Sequence, residues 1–390
     1  MKRKIFIIIL FIFFLSNIKA FAQEQIDLNS KAAVLMEYST GRILYDKNKD
    51  RILNEASITK IMTYYVLMDL LKEKGIKVSE IITANSYAIP SDATRAGFRK
   101  GERITINELI NSMLIHSAND SALQLGEFYK NLTGKDISDA MNEKAKEIGL
   151  KNTFYINPTG LKEKDKKITE NYTTAMETAI LARNLLKEYP EIIEITSKKE
   201  WVYKNTKYKN TNKLLNIKKE VDGIKTGHTD KAGYCLLSTE KVNSKDKNHK
   251  DFRIIAVVLG ADTEADRIKD SKKILEYGEK NYEFIKTIDK NEIFKFRSEM
   301  YKNGYVEGRT DNDKFILKKN GEVIEKNAVL NNNMTKKIRK GDEIGKVVVK
   351  NTTTGEIYEY KLYSTEDFKP ISFFRRILLF IKKKIKIISW

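Results

Sequence analysis

The sequence predicts an α/β protein, an antiparallel sheet with helices packed on it, followed by a small all-β domain and a C-terminal basic amphipathic helix. Two observations carry the first part: strand-like runs open and close the first 285 residues, and helical periodicity fills the span between them. A third carries the second part. From about Thr287 to Tyr363 the helical period fades, and short β-type runs separated by Gly-containing turns take over.

Ala32 to Tyr38 reads as a strand, Ser39-Thr40-Gly41 as a turn, and Arg42 to Lys47 as the returning strand. Ile58, Ile61, Met62, Tyr65 and Val66 fall at helical spacing and predict a helix from Ser57 to Lys74. Thr105 to Asn184 is mainly helical, with loops at Asn131-Leu132-Thr133-Gly134 and Asn157-Pro158-Thr159-Gly160. Strand character returns at Val221 to Lys225, Gly233 to Ser238 and Arg253 to Leu259, the last two joined by the charged loop Glu240 to Asp251. Glu264 to Asn281 closes the region as a helix. The later β-type runs are Glu292 to Phe296, Phe315 to Leu317, Ile344 to Val349 and Ile357 to Leu362.

The two ends of the chain read differently from its body. Lys2, Arg3 and Lys4 precede an unbroken apolar run of 11 residues, Ile5 to Leu15, and Ala20-Phe21-Ala22 supplies small residues for cleavage. That is the pattern of a secretory signal peptide, too short for a comfortable membrane span. From Phe374 onward, Ile377, Leu378, Ile381, Ile385 and Ile388 share one face of a helical wheel, with Arg375, Arg376, Lys382, Lys383 and Lys386 mostly opposite. A basic amphipathic helix of this kind lies in a membrane interface and favours anionic lipid. The expected organisation is a signal peptide at 1–22, a catalytic domain at 23–285, a β domain at 286–364 and an anchor at 365–390.

The formal net charge is +19. No nucleic-acid-binding motif accompanies it, so in an exported protein the charge points to anionic lipid and wall polymer rather than to DNA or RNA. The single cysteine, Cys235, excludes an internal disulfide and sits in the apolar run Tyr234 to Leu237, as a small core residue does. His116, His228 and His249 are scattered without metal-ligand spacing, so neither a metal nor a cofactor is expected.

Three short motifs carry the chemistry. In Ser57-Ile58-Thr59-Lys60, residues three apart on a helix share a face, so the Ser57 hydroxyl meets the Lys60 amine. A lysine in a dry pocket near other cations has a lowered pKa and accepts the serine proton. A helix N-terminus at Ser57 would favour developing negative charge. Ser-x-x-Lys alone is weak in a lysine-rich chain, and Ser244-Lys245-Asp246-Lys247 matches it too. In Ser117-Ala118-Asn119, Ser117 can relay a proton and Asn119 can hold a substrate amide. Lys225-Thr226-Gly227-His228 lies on a strand, and an edge strand pairs with an extended peptide. Gly227 has no Cβ to obstruct a substrate backbone, while Lys225 and Thr226 offer donors to a carboxylate.

In this order the three motifs resemble those of the penicillin-recognising serine enzymes. Glu55 to Thr63, Val221 to Thr229 and Ala232-Gly233-Tyr234 are similar to the nucleophile and third-motif segments of serine D-alanyl-D-alanine carboxypeptidases, the low-molecular-weight penicillin-binding proteins. Asn157 to Leu161 resembles a further family segment, with Thr159 where His is common. The resemblance implies a β-lactamase/transpeptidase-like domain that removes the terminal D-alanine from peptidoglycan pentapeptide stems. It implies Ser57 as nucleophile, Lys60 as general base, and backbone N–H groups of Ser57 and His228 as the oxyanion hole. Ser117 and Lys225 would pass the proton to the leaving D-alanine, Asn119 would orient the substrate, and Lys225 and Thr226 would hold its carboxylate. Penicillin and other β-lactam antibiotics would acylate Ser57. A class A β-lactamase would need a deacylating Glu in a Glu-x-x-Leu-Asn setting, which Thr153 to Tyr172 does not contain. A peptidoglycan endopeptidase would use the same residues, and a catalytically silent wall-binding protein would keep them without using them.

Overall fold

The computed structural model describes residues 26–163, 167–331, 336–378 and 381. They form two compact units. One runs to Lys241 and resumes over Arg253–Gly278, and the other takes Val242–Phe252 and the chain from Glu279 onward.

The first unit is built on a sheet of five strands: β1 (Ala32–Glu37), β2 (Ile43–Lys47), β3 (Val221–Thr229), β4 (Gly233–Val242) and β5 (Phe252–Ala261), in spatial order β2-β1-β5-β4-β3. β1 is antiparallel to β2 and β5, and β4 is antiparallel to β3. β1 and β5 are central and buried over nearly their whole length, which explains why both read as continuous apolar runs rather than as alternation. β3, which carries Lys225, lies at an edge.

Between β2 and β3 come α1 (Lys60–Lys74), α2 (Ile106–Ile115), α3 (Asn119–Thr133), α4 (Ile137–Glu147), α5 (Ala175–Glu188) and the short α6 (Ile192–Thr196). α7 (Glu264–Asn281) follows β5. α1 is buried on almost every side, so its apolar residues form no narrow stripe; Ile61, Met62, Tyr64, Tyr65 and Leu67 are all essentially inaccessible. It ends at Gly75 and α3 ends at Gly134, each in the left-handed conformation that glycine adopts without steric cost. α2 begins with a complete capping box, in which Thr105 and Glu108 satisfy each other's backbone N–H groups. A two-stranded hairpin, Glu200–Tyr203 with Thr206–Lys209, was not foreseen from the sequence. Its strands are only four residues long and carry charges on one face, too short for the period to stand out.

The second unit is all-β among its described residues, apart from one helical turn at 373–378. β6 (Tyr282–Ile288) pairs with β9 (Lys314–Lys319) and with His249–Lys250 at the tip of the β4–β5 hairpin. β7 (Phe294–Arg297), β8 (Tyr305–Arg309), β10 (Ile324–Leu330), β11 (Glu343–Asn351) and β12 (Ile357–Ser364) form a second sheet in the order β7-β8-β12-β11-β10. Val306, Ile344, Val347, Val349, Leu362 and Phe368 fill its core. The turn at 373–378 exposes Phe373, Phe374, Ile377 and Leu378. The signal-peptide region and the rest of the C-terminal helix lie outside the described residues. Within the described residues, no helix is long and apolar enough to cross a membrane.

Cys235 is fully buried on β4, and burial pushes its thiol up to about 12. The expected outcome is that a thiol reagent leaves the native protein unmodified and labels one site only on unfolding. Rapid labelling of the folded chain would contradict this packing.

Candidate active site

Ser57 lies in a 3₁₀ turn, Ala56–Thr59, that runs directly into α1 at Lys60. The helix therefore starts three residues later than the sequence suggested, and Ser57 does not occupy its N-terminus. The 3₁₀ geometry still serves the pair, because its three-residue turn places positions i and i+3 one above the other. Lys60 Nζ lies 2.7 Å from Ser57 Oγ.

The amine has two other neighbours. It donates to Asn119 Oδ1 at 2.8 Å and to the carbonyl oxygen of Thr159 at 2.7 Å. Lys60 is completely inaccessible, and burial followed by the nearby charge of Lys225 holds its pKa well below the ordinary 10.5. A neutral amine has two N–H donors and one lone pair. In that form Asn119 and Thr159 take both donors, and the lone pair is left for the Ser57 hydroxyl.

Each neighbour is itself fixed. Asn119 opens α3, and its Nδ2 donates to Thr94 O at 2.8 Å. Thr159 stands on a turn organised by Asn157, whose Oδ1 accepts from Thr159 N, Thr159 Oγ1 and Gly160 N. Thr159 therefore reaches the site through its backbone, which explains how threonine is tolerated where the family segment often has histidine. Gly160 has φ +78°, and a Cβ there would fall 1.9 Å from Ala56 O. Only glycine lets the Asn157–Gly160 turn close on the nucleophile turn, where Ala56 itself has a positive φ of 49°.

The second motif shows a similar departure. Ser117 has φ +65°, a conformation uncommon for serine, and is almost fully buried. Its hydroxyl has no partner among the described residues and is free to take one from a substrate. Asp120 sits in the first turn of α3 and accepts from the backbone N–H groups of Ala96 and Gly97, which ties that loop to the motif.

On β3, Lys225 is buried and its Nζ donates to Thr226 O at 2.8 Å. Burial and the charge of Arg267 lower its pKa to about 7. Thr226 Oγ1 donates to Thr211 Oγ1 at 2.6 Å, and Thr211 N donates to Ile115 O, so the third motif is bonded to the end of α2 just before the second. Gly227 is required within the chain itself. A Cβ there would stand 2.5 Å from Glu55 O and 3.1 Å from Ser57 N, so the backbone that approaches closely is the nucleophile turn of this chain. His228 is exposed, and its ring stacks on Tyr234 across the strand pair at 4.0 Å.

Arg267, on α7, is the residue that motif reading missed. It is buried, with its guanidinium 5.5 Å from the Tyr234 ring centre and Nη1 3.5 Å from Gly227 O. No motif marks it, and only the fold brings this side chain of α7 to Gly227 on β3. The second Ser-x-x-Lys match, Ser244 to Lys247, lies in an exposed loop of the other unit, with Lys245 3.3 Å from Glu283.

The sequence profile of the D-alanyl-D-alanine carboxypeptidase family matches residues 19–263. The chain belongs to the D-alanyl-D-alanine carboxypeptidase family. It is a serine peptidase of that class, a hydrolase with a penicillin-binding-protein fold. It is 34% identical over 354 residues to the D-alanyl-D-alanine carboxypeptidase DacF of Bacillus subtilis, covering 88% of this chain and 87% of that one. The crystal structure of a peptidoglycan synthesis regulatory factor from Streptococcus pneumoniae superposes with a TM-score of 0.70 at 25% identity, covering 87% of this chain and 99% of that one. Penicillin-binding protein D2 of Listeria monocytogenes, solved with cefotaxime bound, is 30% identical with a TM-score of 0.58, covering 66% of this chain and 99% of that one.

Buried lysines carry a stability cost in this carboxypeptidase. Replacing Lys225 with methionine is expected to stabilise the fold by about 2 kcal/mol at neutral pH, read as a rise in thermal midpoint. The sign follows from the lowered pKa: the folded state disfavours the protonated amine, so the cost is absent above the ordinary value of 10.5, grows as pH falls, and levels off below about 7. The gain of the variant should follow the same course. A destabilised Lys225→Met protein at pH 7 would contradict it.

Proposed function

We propose that Ser57 is the nucleophile and Lys60 its general base, in the removal of the terminal D-alanine from peptidoglycan stem peptides. The observation that carries this is the buried Lys60 amine, 2.7 Å from Ser57 Oγ with both other bonding directions occupied. Ser57 Oγ attacks the carbonyl between the last two alanines as Lys60 takes its proton. The backbone N–H groups of Ser57 and His228 stabilise the oxyanion. Ser117 and Lys225 return a proton to the departing D-alanine, and water then hydrolyses the acyl-enzyme. Lys225 and Thr226 receive the terminal carboxylate, and Arg267 adds its charge behind them. Asn119 orients the substrate amide while it holds Lys60. β-Lactams are taken by the same hydroxyl, giving a long-lived adduct.

The reading places the enzyme outside the cytoplasm, where its substrate lies. The signal-peptide pattern at 1–22 supports export, and the basic amphipathic C-terminus supports attachment to anionic lipid, with Phe373, Phe374 and Leu378 exposed at its described start. The β domain then acts as a spacer.

Mass spectrometry of the intact protein with penicillin tests the nucleophile. A stoichiometric adduct mapping to Ser57 is expected, and Ser57→Ala should remove it; an adduct elsewhere sinks the assignment. D-alanine release from a pentapeptide should fall by about 10³-fold or more in the same variant. The acylation rate of the unmodified enzyme should rise with pH as Lys60 loses its proton. In Lys225→Met, loss of the neighbouring positive charge raises the Lys60 pKa, so the acid limb of whatever activity remains should move to higher pH. A limb that stays in place would show that Lys60 is not the titrating base.

A further inference from the structure

We propose that the second unit carries an oxyanion site that takes a phosphodiester group. The site is a cavity of about 490 Å³ with Lys290, Asn291, Arg309, Lys340 and Tyr363 on its lining. It forms where the ends of β8 and β12 meet the turn before β11 and the loop after β6. Arg309 and Tyr363 are direct cross-strand partners, so both side chains emerge on one face. Gly341 N donates to Ser364 O at 2.9 Å, which fixes the turn bearing Lys340 against the end of β12. The backbones of Lys290 and Lys340 are held by Asp313 and Asp367 through their N–H groups, at 2.8 and 3.0 Å.

The charge balance around the cavity is one-sided. None of Lys290, Arg309 and Lys340 forms an ion pair among the described residues. Elsewhere in the same unit Lys286, Lys326, Lys346 and Lys361 each have a carboxylate partner. Asp311, the one carboxylate on the lining, is paired with Lys314, and neighbouring Asp313 with Lys286. The hydroxyl protons on the wall are also committed: Thr310 donates to Asn312 O, Ser364 to Glu366 O and Thr365 to Glu307. What remains uncommitted is a set of donors, two ammonium groups, a guanidinium, an amide and a phenol. A cation would be repelled there and a neutral ligand would find few acceptors.

An anion with several acceptor oxygens fits this set, and the arginine fork matches a phosphate pair of oxygens. The cavity exceeds what a lone carboxylate fills. A phosphodiester adds a substituent on each side, for which the Tyr363 ring and the open rim leave room. Outside the cytoplasm such groups occur in wall polymers and in phospholipid headgroups.

Calorimetric titration of the full chain at low ionic strength with glycerophosphoglycerol, which carries the shared chemistry, tests the site. The triple variant Lys290→Gln, Arg309→Gln, Lys340→Gln should bind about tenfold or more weakly. A control with the same charge removed elsewhere in the unit, Lys302→Gln, Lys350→Gln, Lys369→Gln, should bind as the parent does. Both should keep penicillin acylation, which reports an intact fold. Absence of binding by the parent, or equal loss in the two variants, overturns the proposal. Two further arms identify the source: a cavity-dependent loss of binding to phosphatidylglycerol vesicles assigns the headgroup, and one confined to soluble poly(glycerol phosphate) assigns the wall polymer.

Discussion

A lysine amine sealed from water sets the terms for the first unit. Burying an ammonium without compensation is costly, so Lys60 must either lose its proton or be fully bonded. The fold arranges both. Two carbonyl-type acceptors, Asn119 Oδ1 and Thr159 O, use the amine's donors, and burial together with the charge of Lys225, opposed by Asp120, favours the neutral form. Glu55, buried just before the nucleophile turn, does not change this. Its own pKa is raised to about 8 by burial, so near neutral pH it is mostly protonated and adds little negative charge. Basicity at Ser57 is thus created by exclusion of water and by supporting loops.

Those loops account for the less obvious sequence requirements. Gly160 and Gly227 both press on the same turn, one from the Asn157 loop and one from β3. Gly227 is needed for contact distance alone, and Gly160 both for contact distance and for its left-handed backbone. Ala56 is held at a positive φ between them, a strain that the surrounding packing imposes and that presents Ser57 outward. The three motifs are therefore mechanically one object: the Lys60–Asn119 hydrogen bond joins the first to the second, and Gly227 packs the third against the Ser57 turn.

Much of this was legible from residue pattern. The strand–helix–strand order follows from periodicity, and the i, i+3 spacing brings Ser57 to Lys60, because local period and short-range geometry determine them; the approach of Asn119 to that pair was implied only by the family resemblance. What remained hidden depends on three-dimensional placement. The role of Thr159 rests on its carbonyl, and every residue has one. The reason for Gly227 is a neighbour 170 positions earlier in the chain. Arg267 belongs to an ordinary charged helix until the fold brings its guanidinium to Gly227. The early helix start expected at Ser57 failed for a related reason, since a 3₁₀ turn and an α-helix share the i, i+3 signal.

The two buried lysines also divide the electrostatic work. Burial and the charge of Lys225 hold the Lys60 pKa down, and burial and the guanidinium of Arg267 do the same at Lys225. Both are pushed toward neutrality when the cleft is empty. In the mechanism proposed above, a carboxylate entering beside Lys225 reverses the balance there: it supplies the missing negative charge and favours protonation of Lys225. On that proposal the proton passes to the leaving amine by way of the Ser117 hydroxyl, which has no partner among the described residues. The added positive charge at Lys225 further disfavours a proton on Lys60, which stays a base as the substrate docks. Binding of the anionic end and activation of the hydroxyl are thereby coupled through one pair of like charges.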